Sequence, residues 1–144
     1  VKSVLVVCIG NICRSPMAEA LLAAALPGIA VSSAGTGALI GHPADDIAKA
    51  LMAARGLDIS QHRARQLSTA MCQQADLILT MDEGQRRHIE QRYPLTRGKV
   101  MRLNESTKQD VPDPYRQGQA AFDYALQLID VGTLAWAERI KKFK

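Results

Sequence analysis

Residues 3–8, S-V-L-V-V-C, run from a serine through four consecutive apolar side chains to a cysteine, with no polar alternation. A strand without a polar face has to be covered on both sides, as in a parallel sheet flanked by helices. The next residues read as a turn and then a helix over residues 15–26, with Ser15 the expected N-cap, Pro16 at the first helical position and Pro27-Gly28 ending it. The same alternation continues along the chain. Strand patterns fall at 29–34, 76–81 and 99–103, and helix patterns at 43–55 (opened by Pro43, closed by Gly56), 68–74, 83–92 and 119–142. In the last helix Phe122, Leu126, Ile129, Trp136 and Ile140 repeat on one face. The expected fold is α/β in three layers, a four-stranded parallel sheet with helices on both faces and right-handed crossovers. Such sheets bind ligands at the carboxyl ends of their strands, which is where Cys8 closes the first one.

The 144 residues suit one domain over 1–144, with an apolar fraction of 47% that is ordinary for a globular protein. The net charge of +4 suits an anionic ligand. The basic residues are scattered in pairs such as Arg86-Arg87 and Lys141-Lys142, with no basic tract or zinc-finger spacing, so no nucleic-acid partner is expected. Three cysteines, Cys8, Cys13 and Cys72, without a signal-peptide pattern argue against a secreted disulfide framework. No window reaches the length of a membrane span. A reduced, cytoplasmic setting is expected.

The loop I-G-N-I-C-R-S (9–15) joins the first strand to a helix N-terminus, the expected phosphate-binding loop after strand 1. There backbone N–H groups and the positive end of the helix dipole favour an anion. Gly10 and Asn11 tolerate unusual backbone angles. Arg14 offers a planar fork that fits two phosphoryl oxygens, and Ser15 can donate to a thiolate. Helix N-termini and nearby cations can favour the thiolate, the form of a cysteine that acts as nucleophile. Cys8-x5-Arg14 therefore reads as a nucleophile in an anion cradle. The competing readings are a small buried cysteine ending a strand, and a Cys8–Cys13 metal clip. Arg14 beside the thiol opposes the first, and the lack of a second Cys or His pair at zinc spacing opposes the second. Neither a Walker A motif nor a G-x-G-x-x-G stretch is present, since Gly35-x-Gly37 is followed by Ile40 where a third glycine would stand. No cofactor and no metal are expected, and Cys72 reads as inert. The polar loop 104–118, with Pro112 and Pro114, is long enough to be functional, and the two prolines hold Asp113 extended.

Taken together, V-C-I-G-N-I-C-R-S-P-M-A-E (7–19), S-S-A-G-T-G (32–37), H-R-A-R-Q (62–66), D-L-I-L-T-M-D (76–82) and D-P-Y (113–115) resemble the low-molecular-weight protein tyrosine phosphatases over essentially the whole chain. The resemblance implies Cys8 as nucleophile, Arg14 as phosphate ligand and Asp113 as general acid. It implies Asn11, Ser33 and His62 as a network holding the phosphate loop, made of Ile9, Gly10, Asn11, Ile12, Cys13 and Ser15. It further implies Cys13 as a redox partner of the nucleophile. Leu39, Ile40 and Tyr115 are candidates for an apolar rim around an aryl phosphate, with anchoring of their loop to the core as the competing reading for Leu39 and Ile40. Many eukaryotic members carry an aromatic near position 38 and two tyrosines after D-P. Here Ala38, and Arg116 after Tyr115, match the bacterial type instead.

Three alternatives compete with this reading. An arsenate reductase on the same fold needs a cysteine relay after the third strand, where T-M-D-E-G-Q (80–85) has none. A protein arginine phosphatase carries Thr where this chain has Ile12, so Ile12 favours phosphotyrosine. A non-catalytic phosphate-binding module would not need the full set of Cys8, Arg14 and Asp113. The expected partner is a phosphotyrosine protein, and the resemblance points to a bacterial tyrosine kinase of exopolysaccharide production.

Overall fold

The computed structural model describes residues 1–142. Four strands, β1 (Ser3–Cys8), β2 (Ala30–Gly35), β3 (Leu77–Thr80) and β4 (Val100–Arg102), pair in parallel in the order β2-β1-β3-β4. The register sets Val7 of β1 against Ala34 of β2 and Thr80 of β3, so the three carboxyl ends lie side by side. The expected α/β sheet with helices on both faces is the fold observed.

The apolar run of β1 is buried on both faces because its side chains alternate between two cores. Val4, Val6 and Cys8 pack with Met17 and Leu22 of α1 (Arg14–Ala25), Met52 of α2 (Asp46–Ala53), and Phe122, Ile129 and Trp136 of α5 (Gln119–Lys142). Leu5 and Val7 pack on the other side with Cys72 of α3 (Thr69–Gln74) and Ile89 of α4 (Glu83–Arg92). The face repeat expected for the last helix is buried throughout, at Phe122, Leu126, Ile129, Trp136 and Ile140.

Two helix starts differ from expectation. Helix α1 begins at Arg14, with Cys13 in the N-cap position and no capping side chain. Ser15 therefore lies inside the first turn, and Pro16 is the third helical residue rather than the first. The Ser15 hydroxyl is engaged instead by Cys8 and Asn11. Helix α2 starts at Asp46, three residues after Pro43, because Asp45 is the cap and accepts from the Ile47 N–H at 2.9 Å. The Asp45 N–H is held by the Ile12 carbonyl at 2.8 Å, which ties this helix entry to the loop after β1. A short 3-10 turn at Pro94–Thr96, not foreseen in the pattern, leads into β4.

Candidate active site

The loop from Ile9 to Cys13 leaves the end of β1 and feeds straight into α1. Its left-handed residue is Asn11, at φ 61°, a conformation that Asn adopts more readily than other side-chain-bearing residues. Gly10 does not use positive φ, and a Cβ there would meet only side chains, the nearest at 3.8 Å. The glycine the loop needs is Gly35, at the end of β2. A Cβ at Gly35 would fall on the Ile9 carbonyl oxygen and press on Asn11. In the sequence Gly35 stands out only as part of the stretch 32–37, and nothing local marks this close approach.

Asn11 is fully buried and all its side-chain groups are satisfied. Its Nδ2 donates to Ser15 Oγ at 2.8 Å and to Ser33 Oγ at 3.0 Å, while its Oδ1 accepts the Arg65 N–H at 2.8 Å. Its carbonyl accepts from His62 Nε2 at 2.6 Å, which fixes the ring nitrogen that carries the proton. Because Ser15 Oγ accepts from Asn11, its own proton is free to point at Cys8 Sγ, 2.9 Å away. Ser33 Oγ donates its proton to Glu19 Oε1 at 2.5 Å. The hydrogen-bonded chain thus runs Glu19, Ser33, Asn11, Ser15, Cys8. Glu19 and Arg65 were missed as supports, although both lie within the motif stretches 7–19 and 62–66.

Arg14 is buried, at 2% exposure. Its Nη1 donates to the Val111 carbonyl at 2.8 Å and lies 3.9 Å from Asp82 Oδ2, and its Nη2 lies 3.9 Å from Asp113 Oδ2. Its buried Nε has no hydrogen-bond partner among the described residues. Asp82, another residue unassigned from sequence, also caps α4 by accepting the Gln85 N–H at 2.7 Å. Asp113 comes from the loop before α5 and is half-exposed, with Oδ1 accepting the Tyr115 N–H at 3.1 Å.

These groups border a cleft of about 160 Å³. Cys8, Cys13 and Arg14 line it together with Ile9, Gly10, Ile12 and Gly37, and Leu39, Asp113 and Tyr115 complete its walls. Ile40 does not line it and stands 69% exposed, neither on this wall nor anchored in the core. A larger cavity of about 350 Å³ lies between α3 and the end of α4, lined by Tyr93, Leu95 and Cys72 among others. It contains no acid near a nucleophile, so size does not mark the chemistry here.

The three thiols differ in setting. Burial first, then Asp45, Cys8 and Asp113, push the Cys13 thiol up against the opposing pull of Arg14. Burial also raises Cys72, which packs on the opposite sheet face from Cys8. Among the described residues, no group of three or more His, Cys, Asp or Glu side chains is arranged to hold a metal. No helix among them is long and apolar enough to cross a membrane.

A parallel sheet with a cysteine and a buried arginine in the loop after its first strand, faced by an aspartate from a distant loop, is the arrangement of a cysteine-dependent phosphatase. Residues 3–144 match the family model described as low molecular weight phosphotyrosine protein phosphatase, and the chain belongs to that family. It is 53% identical over 141 residues to a probable low molecular weight protein-tyrosine-phosphatase, EpsP, of Ralstonia nicotianae, covering 98% of this chain and 97% of the other. The structure of Vibrio vulnificus Wzb in complex with benzylphosphonate is similar at TM-score 0.91 and 44% identity, covering 95% of this chain and 97% of that one. The YwlE arginine phosphatase from Geobacillus stearothermophilus shares the fold at TM-score 0.84 and 35% identity, covering 99% of this chain and 94% of that one. The chain is thus a protein-tyrosine-phosphatase by family, on a fold that a phosphatase of another specificity also uses.

Proposed function

We propose that this chain hydrolyses phosphotyrosine in proteins through a phosphocysteine, with Cys8 as nucleophile, Arg14 as phosphate clamp and Asp113 as general acid and base. The observation that carries the reading is Arg14: a buried guanidinium in the same cleft as Cys8, with its Nε unpaired among the described residues. An unpaired buried N–H is costly, and phosphoryl oxygens on Nε and Nη2 would remove that cost in a bidentate pairing. The Cys8 thiolate attacks phosphorus, forming the S–P bond as the bond to the tyrosyl oxygen breaks. Asp113 passes its proton to that oxygen. Water then attacks phosphorus and the Asp113 carboxylate takes its proton. The S–P bond breaks, returning the Cys8 thiolate and inorganic phosphate. The N–H groups of Ile9, Gly10, Asn11, Ile12, Cys13 and Ser15, with the α1 N-terminus, supply the rest of the anion field. Ser33 and His62 act through Asn11, which each of them contacts.

The choice between the two loop cysteines is supported by their settings. Cys13 is pushed up and stays protonated, while Cys8 has the Ser15 hydroxyl at 2.9 Å. Cys13 is the redox guard: when peroxide converts Cys8 to a neutral sulfenic acid, one of the charges that held the Cys13 proton on is gone, and the Cys13 sulfur gives up its proton and attacks the Cys8 sulfur; that proton and the departing hydroxide leave as water, and a reducible disulfide remains. Leu39 and Tyr115 form the apolar walls for an aryl ring, in keeping with the benzylphosphonate held by the Vibrio relative. The relative named EpsP is a probable protein-tyrosine-phosphatase, which supports a phosphotyrosine protein as substrate; the particular substrate proposed, as the sequence resemblance implies, is a bacterial tyrosine kinase of exopolysaccharide production, met in the cytoplasm.

A second reading, a protein arginine phosphatase, has the fold in its favour and Ile12 against it. Ile12 lines the cleft with no donor to orient a phosphoramidate. The arsenate reductase relay is opposed by Cys72, which is buried against the far side of the sheet from Cys8. The deciding experiment compares phosphotyrosine and phosphoarginine peptides on the wild type, with Cys8→Ser as control. Phosphotyrosine preference and loss of turnover in Cys8→Ser, with anion binding retained, are expected. A preference for phosphoarginine, or turnover surviving in Cys8→Ser, overturns the proposal.

A further inference from the structure

Asp113 needs to be aimed, yet its own contacts do little to aim it. Its carboxylate is half-exposed, with a local bond to the Tyr115 N–H and Arg14 at 3.9 Å. Pro112 and Pro114 stiffen the backbone on either side, so the direction of Asp113 is inherited from wherever the loop is fastened upstream. That fastening is at residues 110 and 111. The Val111 N–H donates to the Met81 carbonyl at 2.8 Å, and the Val111 carbonyl accepts from Arg14 Nη1 at 2.8 Å. One residue earlier, Asp110 Oδ1 accepts from Arg102 Nη1 at 3.1 Å and from the Glu83 N–H at 3.2 Å.

These two donors belong to the ends of two separate elements. Arg102 is the last residue of β4, and Glu83 is the first of α4, where the helix dipole favours a carboxylate. A single oxygen therefore joins the acid loop to the carboxyl edge of the sheet and to a helix N-terminus. Arg102 is held in turn by Glu105, at 3.6 Å, from the same loop.

We propose that Asp110, clamped by Arg102 and the Glu83 N–H, is a positioning residue that sets where the Asp113 carboxyl meets the leaving oxygen. This rests on the reading of Asp113 as the general acid. As an exposed ion pair the clamp contributes little to global stability. Its effect lies in the geometry three residues away.

The test separates aiming from folding by the leaving group. p-Nitrophenolate departs readily without a proton, whereas phenolate depends on one. In Asp110→Ala, kcat/KM for phenyl phosphate should fall about tenfold, a fraction of the 10²–10⁴ that a general acid supplies, while that for p-nitrophenyl phosphate changes by less than about twofold. Asp110→Asn keeps an acceptor oxygen for both donors and should restore most of the phenyl phosphate rate. Arg102→Gln should show the same split, and the Asp110→Ala/Arg102→Gln pair should be less than additive. An equal fall on both substrates, or no fall on either, overturns the clamp. Asp113→Asn is measured alongside. If it shows no leaving-group split, the acid assignment itself fails; if it does and Asp110→Ala does not, only the clamp fails.

Discussion

Replacing Asn11 tests how the phosphate loop is held. Its side chain makes three hydrogen bonds inside a fully buried site. At about 1 kcal/mol net for each, their loss costs about 3 kcal/mol. The backbone at φ 61° adds about 1 kcal/mol when the residue is alanine, since a Cβ without a local polar group is strained there. Asn11→Ala should therefore lose about 4 kcal/mol of unfolding free energy, a large share of what a domain of this size has. Asn11→Gly removes the same hydrogen bonds without the left-handed strain and should lose about 3 kcal/mol. The difference between the two variants isolates the backbone contribution. Because Asn11 also orders Ser15 beneath Cys8, kcat/KM should fall roughly 10²-fold in both, as expected for a displacement near 1 Å at the reacting groups. Urea unfolding and p-nitrophenyl phosphate turnover measure the two effects. If both variants unfold within about 1 kcal/mol of the wild type and keep their kcat/KM, the network does not hold the loop.

Gly35→Ala drives a Cβ into the Ile9 carbonyl and the Asn11 backbone, neither of which can swing aside, so stability should fall by about 1–3 kcal/mol; Gly10→Ala, with only side chains nearby, should unfold like the wild type in the same urea titration. Arg14→Lys keeps the charge but gives up the fork and the anchor to Val111, so kcat/KM should fall about 10²–10³-fold in steady-state assays. Asp76 accepts the backbone N–H groups of Lys2 and Ser3 at 2.7 and 3.1 Å, and these bonds hold its carboxyl below the usual carboxylate range. A depressed folded-state pKa gives stability that is present above the unfolded-state value and is lost as pH falls through the folded-state value. Asp76→Asn should accordingly lower Tm at neutral pH, with the gap to the wild type closing on acidification; a gap constant across pH would contradict this.

Strand and helix identities were legible because each depends on a local pattern. The unbroken run of β1 demanded two covered faces, and the face repeat of α5 demanded one. Helix starts were less legible, because a capping residue is chosen by competition for its hydroxyl. Ser15 has the right chemistry for a cap, but Cys8 and Asn11 claim it; Asp45 caps the next helix, where Pro43 had marked the start. The place of Ile40 was also undetermined, since a residue between two loop glycines can turn inward or outward at little cost. It turns outward.

By itself the sequence determined that Cys8 ends a buried parallel strand, that a helix begins within a few residues, and that an arginine accompanies the cysteine into that turn. Those are relations between near neighbours, governed by backbone geometry and side-chain period. Tertiary structure alone decided what Arg14 is held by: the Val111 carbonyl, 97 positions along the chain, the Asp113 carboxylate from that same loop, and the Asp82 carboxylate from the turn after β3. It likewise decided that Glu19 supports Ser33, that the Arg65 N–H satisfies Asn11, and that Gly35 has to lack a side chain. Each of these contacts joins segments brought together by the sheet order β2-β1-β3-β4, and no local pattern encodes which donor will lie opposite which acceptor once the crossovers close.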